Sequence, residues 1–448
     1  MRFPKREYIK HPQRLHKEEE VVPMVATKSF PLAVVFLMLA MLCTNAFAAK
    51  PRHDRPEDAR AIQIQPQKIE PGTPAHTAGV EDDEQFAATQ GEGLDQYLYR
   101  SSSPITFTIP VERYYGITDG SGHLRHPETI SGTIKLTLRV WDVDSDYPGP
   151  DVAPERDLVY INNFQCPGWL TGSSDVWSTF TCEVPVSEIN FPDQKNTKGQ
   201  NKVTVHIDTA NAGPDVWAVL VDWGRLEIKG ARPSALIHGF ISGPETWGAW
   251  TASQSGFLDQ TGIPGEAIAG HDPVGDIYAN AGIIGQQIEV MKKEYGVDRL
   301  NIVGHSKGGL DARAYLLSAD KSVRDMIMVG TPNAGSKWAD MAKIAGVVSR
   351  RLINPLSRLA EPALTQLTTW HMARFNNAVI GNPRTNYYTI AGNWPYGPWV
   401  SWILGGPNDG VVAVNSVEAL GFGSLGRPPV SHTAMTASGD VFALSNPI

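Results

Sequence analysis

Residues 300–310 read Leu300-Asn301-Ile302-Val303-Gly304-His305-Ser306-Lys307-Gly308-Gly309-Leu310. An apolar run ends at a glycine-flanked serine and gives way to residues compatible with a helix through Leu317. Such a run suits a strand buried on both faces, as in a parallel sheet. A serine on a tight strand-to-helix turn has its hydroxyl pushed out above the sheet, and a side chain in place of either flanking glycine would meet the neighbouring strand and helix. The helix that follows points its N-terminus at the serine and favours negative charge there. G-x-S-x-G is frequent by chance; the strand before it and the helix after it give it weight.

Working outward, Ala235-Leu236-Ile237 is a second buried-strand run, ending in His238-Gly239. Ile284, Ile288, Met291 and Tyr295 then fall on one face of a helix that Gly296 ends. Met326 to Val329 and Tyr387 to Ile390 supply further strands. This alternation predicts a mostly parallel sheet with helices on both faces over residues 231–448. Residues 101–230 differ. Ile134, Leu136, Leu138 and Val140 alternate with polar Lys135, Thr137 and Arg139; Val203, Val205 and Ile207 repeat the period of two, and Trp217 to Lys229 adds another strand. Short strands between Gly/Pro/Asn/Asp turns predict an all-β sandwich in front of the α/β part. Residues 49–100, rich in Pro, Gly, Asp, Glu and Gln, read as a flexible linker.

The α/β part resembles the α/β-hydrolase superfamily, and within it the secreted bacterial lipases and esterases. Four motifs in order carry the resemblance: His238-Gly239-Phe240; Gly304-His305-Ser306-Lys307-Gly308; Gly330-Thr331-Pro332-Asn333-Ala334-Gly335-Ser336; and Gly406-Pro407-Asn408-Asp409-Gly410-Val411-Val412, followed by His432 in Val430-Ser431-His432. The resemblance implies Ser306 as nucleophile, Asp409 and His432 as its acid and base, and the backbone N–H groups of Phe240 and Lys307 as an oxyanion hole.

Chemistry asks for the same groups. Serine at its free pKa is a poor nucleophile, so a base must take its proton and an acid must hold that base in one tautomer. Beyond Ser306 the histidines are His371 and His432. His371 lies in a helix-like stretch, whereas His432 sits in a loop near the C-terminus, where α/β sheets present functional groups. Asp409 precedes a glycine suited to a turn; Asp325 and Asp340 compete with it for the acid role.

Trp247 and Trp250 follow the first motif, and Trp394, Trp399 and Trp402 precede Asp409. They read either as an apolar substrate-binding surface or as core filling. Residues 336–376 are either a lid or a packed helical insertion. In the front part Asp142, Asp144 and Asp146, followed by Asp151, Glu155 and Asp157, have the carboxylate density of a structural Ca²⁺ site, with an acidic solvated loop as the equal alternative; no EF-hand spacing is present. The chemistry itself requires no cofactor.

At the N-terminus, Leu32 to Cys43 is a twelve-residue apolar run, shorter than the roughly 20 residues of a membrane span. Lys28 precedes it and Ala46-Phe47-Ala48 follows, the layout of a signal peptide over residues 1–48, with Met24 a candidate start. The expectation is therefore a secreted chain without a permanent membrane anchor. Cleavage after Ala48 would leave 32 Lys+Arg against 43 Asp+Glu, a net charge of −11. An acidic balance gives no reason to expect a nucleic-acid partner. It would also remove Cys43 and leave Cys166 and Cys182 to pair in an oxidising compartment, or to stay as buried thiols. With 42% hydrophobic and only 19% charged residues among 448, the chain can bury the cores of several domains. The function expected is hydrolysis of carboxylic esters, with a lipid-like ester as the partner. A polyester depolymerase using its β part to hold a surface, and a catalytically inactive binding protein, are the alternatives.

Overall fold

The computed structural model describes residues 80–81, 84–89, 98–100, 104–146, 153–208, 217–318, 321–348, 361–379 and 381–445. The expected signal peptide and most of the expected linker lie outside the described residues.

The strands are numbered in chain order: β1 Val80–Glu81, β2 Glu84–Thr89, β3 Leu98–Tyr99, β4 Ile105–Val111, β5 Ile134–Trp141, β6 Leu158–Ile161, β7 Phe164–Gln165, β8 Trp177–Val184, β9 Gly199–His206, β10 Ala218–Lys229, β11 Ser234–Ile237, β12 Gly265–Ala267, β13 Leu300–His305, β14 Val323–Val329, β15 Asn386–Ile390 and β16 Gly423–Gly426. Up to β10 all pairing is antiparallel. One sheet runs β1-β2-β10-β5-β8, with β3 also on β10, and a second runs β4-β9-β6-β7. Alternation decides which side of each strand is covered: Ile134, Leu136, Leu138 and Val140 from β5 meet Ile105, Phe107 and Ile109 from β4 and Val203 and Val205 from β9 in one core shared by both sheets. Cys166, just after β7, is disulfide-bonded to Cys182 in β8, so the bridge ties the edge of one sheet to the edge of the other.

From β11 onward the pairing becomes parallel, in the order β12-β11-β13-β14-β15-β16. The run read as a buried strand is β13. It is flanked by β11 and β14 and buried along its whole length. Its two faces feed separate cores. Leu300 and Ile302, with Ala235, Ile237, Met326 and Met328, pack against Ile284, Ile288, Met291 and Tyr295 of the helix Ile277–Tyr295. Val303, with Leu236, Ile327, Val329 and Ile390, packs against Trp247, Trp250 and Phe442 on the opposite side. The helix Ile277–Tyr295 starts where the Asp276 carboxylate accepts the backbone N–H groups of Tyr278 and Ala279, and it stops at Gly296 in the left-handed region, φ 65°.

The two parts meet through directed contacts. The buried Arg113 guanidinium donates to the carbonyls of Gly230 (3.0 Å) and Ala231 (2.8 Å), the segment that carries the chain from β10 to β11. Tyr114 N–H donates to Tyr295 O, and the Lys195 ammonium lies 4.3 Å from the Tyr295 ring centroid while pairing with Glu266. Among the described residues no helix is long and apolar enough to cross a membrane.

Candidate active site

β13 ends at His305, and the helix Lys307–Leu316 begins two residues later, so Ser306 makes the whole turn. Its backbone is held at φ 54°, ψ −126°, outside the helical and strand regions, while its N–H donates to Val329 O of the neighbouring strand at 2.9 Å. Two close approaches make this turn possible. A Cβ at Gly308 would lie 2.3 Å from His238 O, and one at Gly239 would lie 2.7 Å from Ser306 Cβ. Side chains at either position would push the His238–Phe240 segment off the serine.

The structure brings Ser306, His432 and Asp409 together across 126 residues of chain. His432 Nε2 lies 2.9 Å from Ser306 Oγ. His432 Nδ1 lies 2.7 Å from Asp409 Oδ2. An ionised carboxylate can only accept, so Nδ1 carries the proton and Nε2 is left to accept from the serine hydroxyl. Asp409 is fully buried, yet its other oxygen accepts the N–H groups of Val411 (2.9 Å) and Val412 (2.7 Å), and its backbone carbonyl accepts His432 N–H at 2.8 Å. That loop is fixed from outside by Trp338 Nε1, which donates to Gly410 O at 2.9 Å, and by Ser336 Oγ, which donates to Val411 O at 2.7 Å.

The competing groups are occupied elsewhere. Asp325 accepts from Asn386 Nδ2 at 2.7 Å and pairs with Arg232. Asp340 accepts the backbone N–H and the hydroxyl of Thr369, both at 2.8 Å. His371 lies half-buried in the helix Thr369–Ala378, whereas His432 is the histidine hydrogen-bonded to Ser306. Phe240 sits in the turn after β11, partly buried against a core that includes Leu310 and Phe375, and Lys307 opens the helix behind the serine.

The five tryptophans separate into two groups. Trp247 and Trp250 are fully buried and meet edge to face at 4.9 Å, with Phe442 edge-on to Trp250 at the same distance, so they fill core. Trp394, Trp399 and Trp402 are 45%, 50% and 84% exposed. They stand beside the acid loop: Trp394 N–H donates to Asn408 O, and the other two lie on the helix Pro398–Leu404. Residues 337–348 form a helix with Trp338 and Ala339 buried and Met341 and Ile344 exposed. In the front part the three carboxylates have separate partners: Asp142 accepts from Asp175 N–H, Asp146 from Ser173 Oγ, and Asp144 from Ser174. Among the described residues no group of three or more His, Cys, Asp or Glu is placed to hold a metal.

Some neighbours of the site gave no sequence signal of their own. His305 Nε2 lies 3.0 Å from His432 O; a carbonyl only accepts, so this nitrogen carries the proton. Burial, reinforced by His432, holds the His305 pKa down to about 3, so its ring stays neutral. His238 and His271 stack at 3.7 Å, and burial lowers both, His271 to about 4. Lys307 projects a fully buried ammonium onto both oxygens of Asp311 at 2.9 Å. The Lys at this position and the Asp four residues on are visible as an i,i+4 pair, but nothing in the sequence marks them as buried.

A family model described as "Alpha/beta hydrolase of unknown function (DUF915)" matches residues 269–340, which include β13, the serine turn and β14. The chain is 34% identical over 99 residues to a triacylglycerol lipase of Pseudomonas fragi, covering 22% of this chain and 31% of that protein. It is 30% identical over 146 residues to triacylglycerol lipase 2 of Saccharomyces cerevisiae, covering 29% and 44%. The chain therefore spans less than half the length of either relative. Among solved structures, the mature Bacillus licheniformis lipase BlEst2 aligns with a TM-score of 0.41 at 24% identity, over 48% of this chain and 91% of that one. A metagenomic carboxyl esterase aligns with a TM-score of 0.38 at 19% identity, over 48% and 74%. With a parallel sheet and a serine on its strand-to-helix turn, residues 269–340 are similar to α/β-hydrolases, and the chain as a whole is similar over part of its length to triacylglycerol lipases.

Proposed function

We propose that this protein is a secreted serine hydrolase that cleaves carboxylic esters, with Ser306 as nucleophile, His432 as general base and acid, and Asp409 as the group that orients His432. The observation that carries this is the continuous hydrogen-bonded chain from Ser306 Oγ through His432 to Asp409, at 2.9 and 2.7 Å, with the serine on a strained turn. Ser306 Oγ attacks the ester carbonyl carbon as its proton passes to His432 Nε2. The positive imidazolium is steadied by Asp409, and the oxyanion is received by the N–H groups of Phe240 and Lys307. Each such donor is worth about 3 kcal/mol in comparable sites. His432 then returns the proton to the alkoxide as the alcohol departs. A water repeats the cycle on the acyl-serine, releasing the carboxylic acid.

A lipid-like ester is the substrate class we favour, because the exposed Trp394, Trp399 and Trp402 offer apolar surface next to the acid loop. Export is supported by the signal-like segment in the sequence and by the Cys166–Cys182 bridge, which suits an oxidising compartment. We read the two front sheets as the two layers of a sandwich. Ser306→Ala in the full chain, assayed on p-nitrophenyl esters of graded acyl length and on emulsified triglyceride, is the test. Turnover should fall by about 10⁴-fold or more while the melting temperature holds. Wild-type turnover in that variant would overturn the assignment, and confinement of activity to short soluble esters would overturn the lipid-like substrate.

A further inference from the structure

The two proposed oxyanion donors sit on different elements, Phe240 after β11 and Lys307 at the start of the helix Lys307–Leu316. Their spacing must be set by something that connects those elements. One link is steric: Gly308 lies against His238 O. The second is a buried polar circuit on the far side of the turn. Lys307 Nζ donates to Asp311 Oδ1 and Oδ2, both at 2.9 Å. Asn280 Nδ2, from the helix Ile277–Tyr295, donates to Asp311 Oδ2 at 2.9 Å and also to Asp272 O at 2.8 Å, and Asn280 Oδ1 accepts Asp272 N–H at 2.9 Å. The residue before Asp272 is His271, whose Nε2 lies 3.2 Å from His238 O and whose ring stacks on the His238 ring. His238 in turn precedes Gly239 and Phe240. Lys307, Asp311, Asn280, His271 and His238 are all buried, so water does not compete for these bonds.

We propose that this circuit fixes the separation of the Phe240 and Lys307 N–H groups, which makes Lys307 (through its side chain), Asp311 and Asn280 positioning residues for ester hydrolysis. The inference rests on the ester-hydrolase function proposed above. A buried ion pair is poor evidence for a stabilising role, since two apolar side chains in its place often leave stability unchanged or raise it. What the pair supplies here is direction: it ties the first turn of one helix to the flank of another, and through Asp272 and His271 to the strand end that carries the other donor.

The test is the double variant Lys307→Met/Asp311→Leu, which removes both charges together and strands neither, while the backbone N–H of residue 307 stays in place. Measured on a soluble p-nitrophenyl ester, kcat should fall by about 10- to 100-fold with KM within about twofold, since a displaced oxyanion donor acts on the transition state. Affinity for an alkyl boronic acid, which forms a tetrahedral adduct on Ser306, should weaken in parallel, and the melting temperature should match or exceed the wild type. Wild-type kcat and boronate affinity in the folded double variant would overturn the proposal. If that variant does not fold, Asn280→Ala, which cuts the circuit and leaves the ion pair intact, decides by the same readouts. Ser306→Ala run alongside separates the two layers. An active Ser306→Ala would overturn the function; an inactive Ser306→Ala beside a fully active circuit variant would overturn the positioning role alone.

Discussion

Each part of the molecule buries carboxylates completely, and treats them in opposite ways. In the α/β part, Asp409 accepts two backbone N–H groups and the His432 ring, so each of its oxygens is directed to a donor. In the front part, Glu155 and Asp157 are just as deeply buried, but no N–H reaches Glu155 Oε1 or Asp157 Oδ2, and the two carboxyls hydrogen-bond to each other instead. Their remaining oxygens accept Asp144 N–H at 2.7 Å and Asp208 N–H at 2.9 Å. Burial alone therefore does not distinguish a site from a structural acid. The difference lies in the partners: donors face both oxygens of Asp409, whereas burial and a neighbouring carboxylate oppose the charged form of Glu155.

The largest effect is expected from changing Asp409 while keeping its shape. Asp409→Asn would present an amide to His432 Nδ1, favour the wrong tautomer, and leave Nε2 unable to accept from Ser306. In comparable triads this costs about 10⁴ in kcat with little change in fold. Single-turnover kinetics on a p-nitrophenyl ester checks it, and near-wild-type acylation would show that the buried Asp409 is a structural acid like those of the front part.

Next in size is the disulfide, which acts on the front part alone. Cys166 and Cys182 are 16 residues apart, and a loop of that length is worth about 3 kcal/mol on the chain-entropy model. Cys166→Ala/Cys182→Ala should lower the denaturant midpoint accordingly, and leave ester turnover unchanged at temperatures where the chain stays folded. A loss of turnover in the folded variant would mean that the joined sheet edges also hold the Arg113 and Tyr114 contacts to the α/β part in place.

The same contrast explains how far the sequence could be read. Strand β13, the Gly296 helix stop and the serine turn were legible because each rests on a local rule: an apolar run, a left-handed cap, a glycine-flanked turn. β12 (GEA) and β16 (GSLG) were not, because such short edge strands carry no apolar period and are specified by their partners. The tryptophans near the motifs looked alike in sequence. Chain proximity to a motif does not say whether a ring faces the sheet, as Trp247 and Trp250 do, or solvent, as Trp402 does. For the same reason the acidic residues of the stretch 142–157 looked alike in sequence, whereas Glu155 and Asp157 are the ones buried completely, and they meet Asp208, some fifty residues on, only through the folded sheets.

Those acids give the smallest and most specific effect. Burial, with Asp157 close by, raises the Glu155 pKa to about 9, and burial raises that of Asp157 to about 7 against the opposing hydrogen bond from Asp208 N–H. Asp144 and Asp208 are the neighbouring acids; Arg100 pairs with Asp208 at 3.3 Å, and Arg156 donates its backbone N–H to the same carboxylate. Both carboxyls titrate near pH 4 in the unfolded chain, so from about pH 4 to 9 the folded state holds more protons than the unfolded state. Unfolding free energy then decreases as pH rises through that window, the reverse of the usual carboxylate contribution. Glu155→Gln keeps the volume, removes one ionisation, and offers an amide donor to Asp157. The melting temperature of the wild type should therefore fall more steeply between pH 5 and pH 9 than that of Glu155→Gln. Parallel melting curves at every pH would show that Glu155 is ionised in the folded state, and that the front part stabilises its buried charges as the α/β part does.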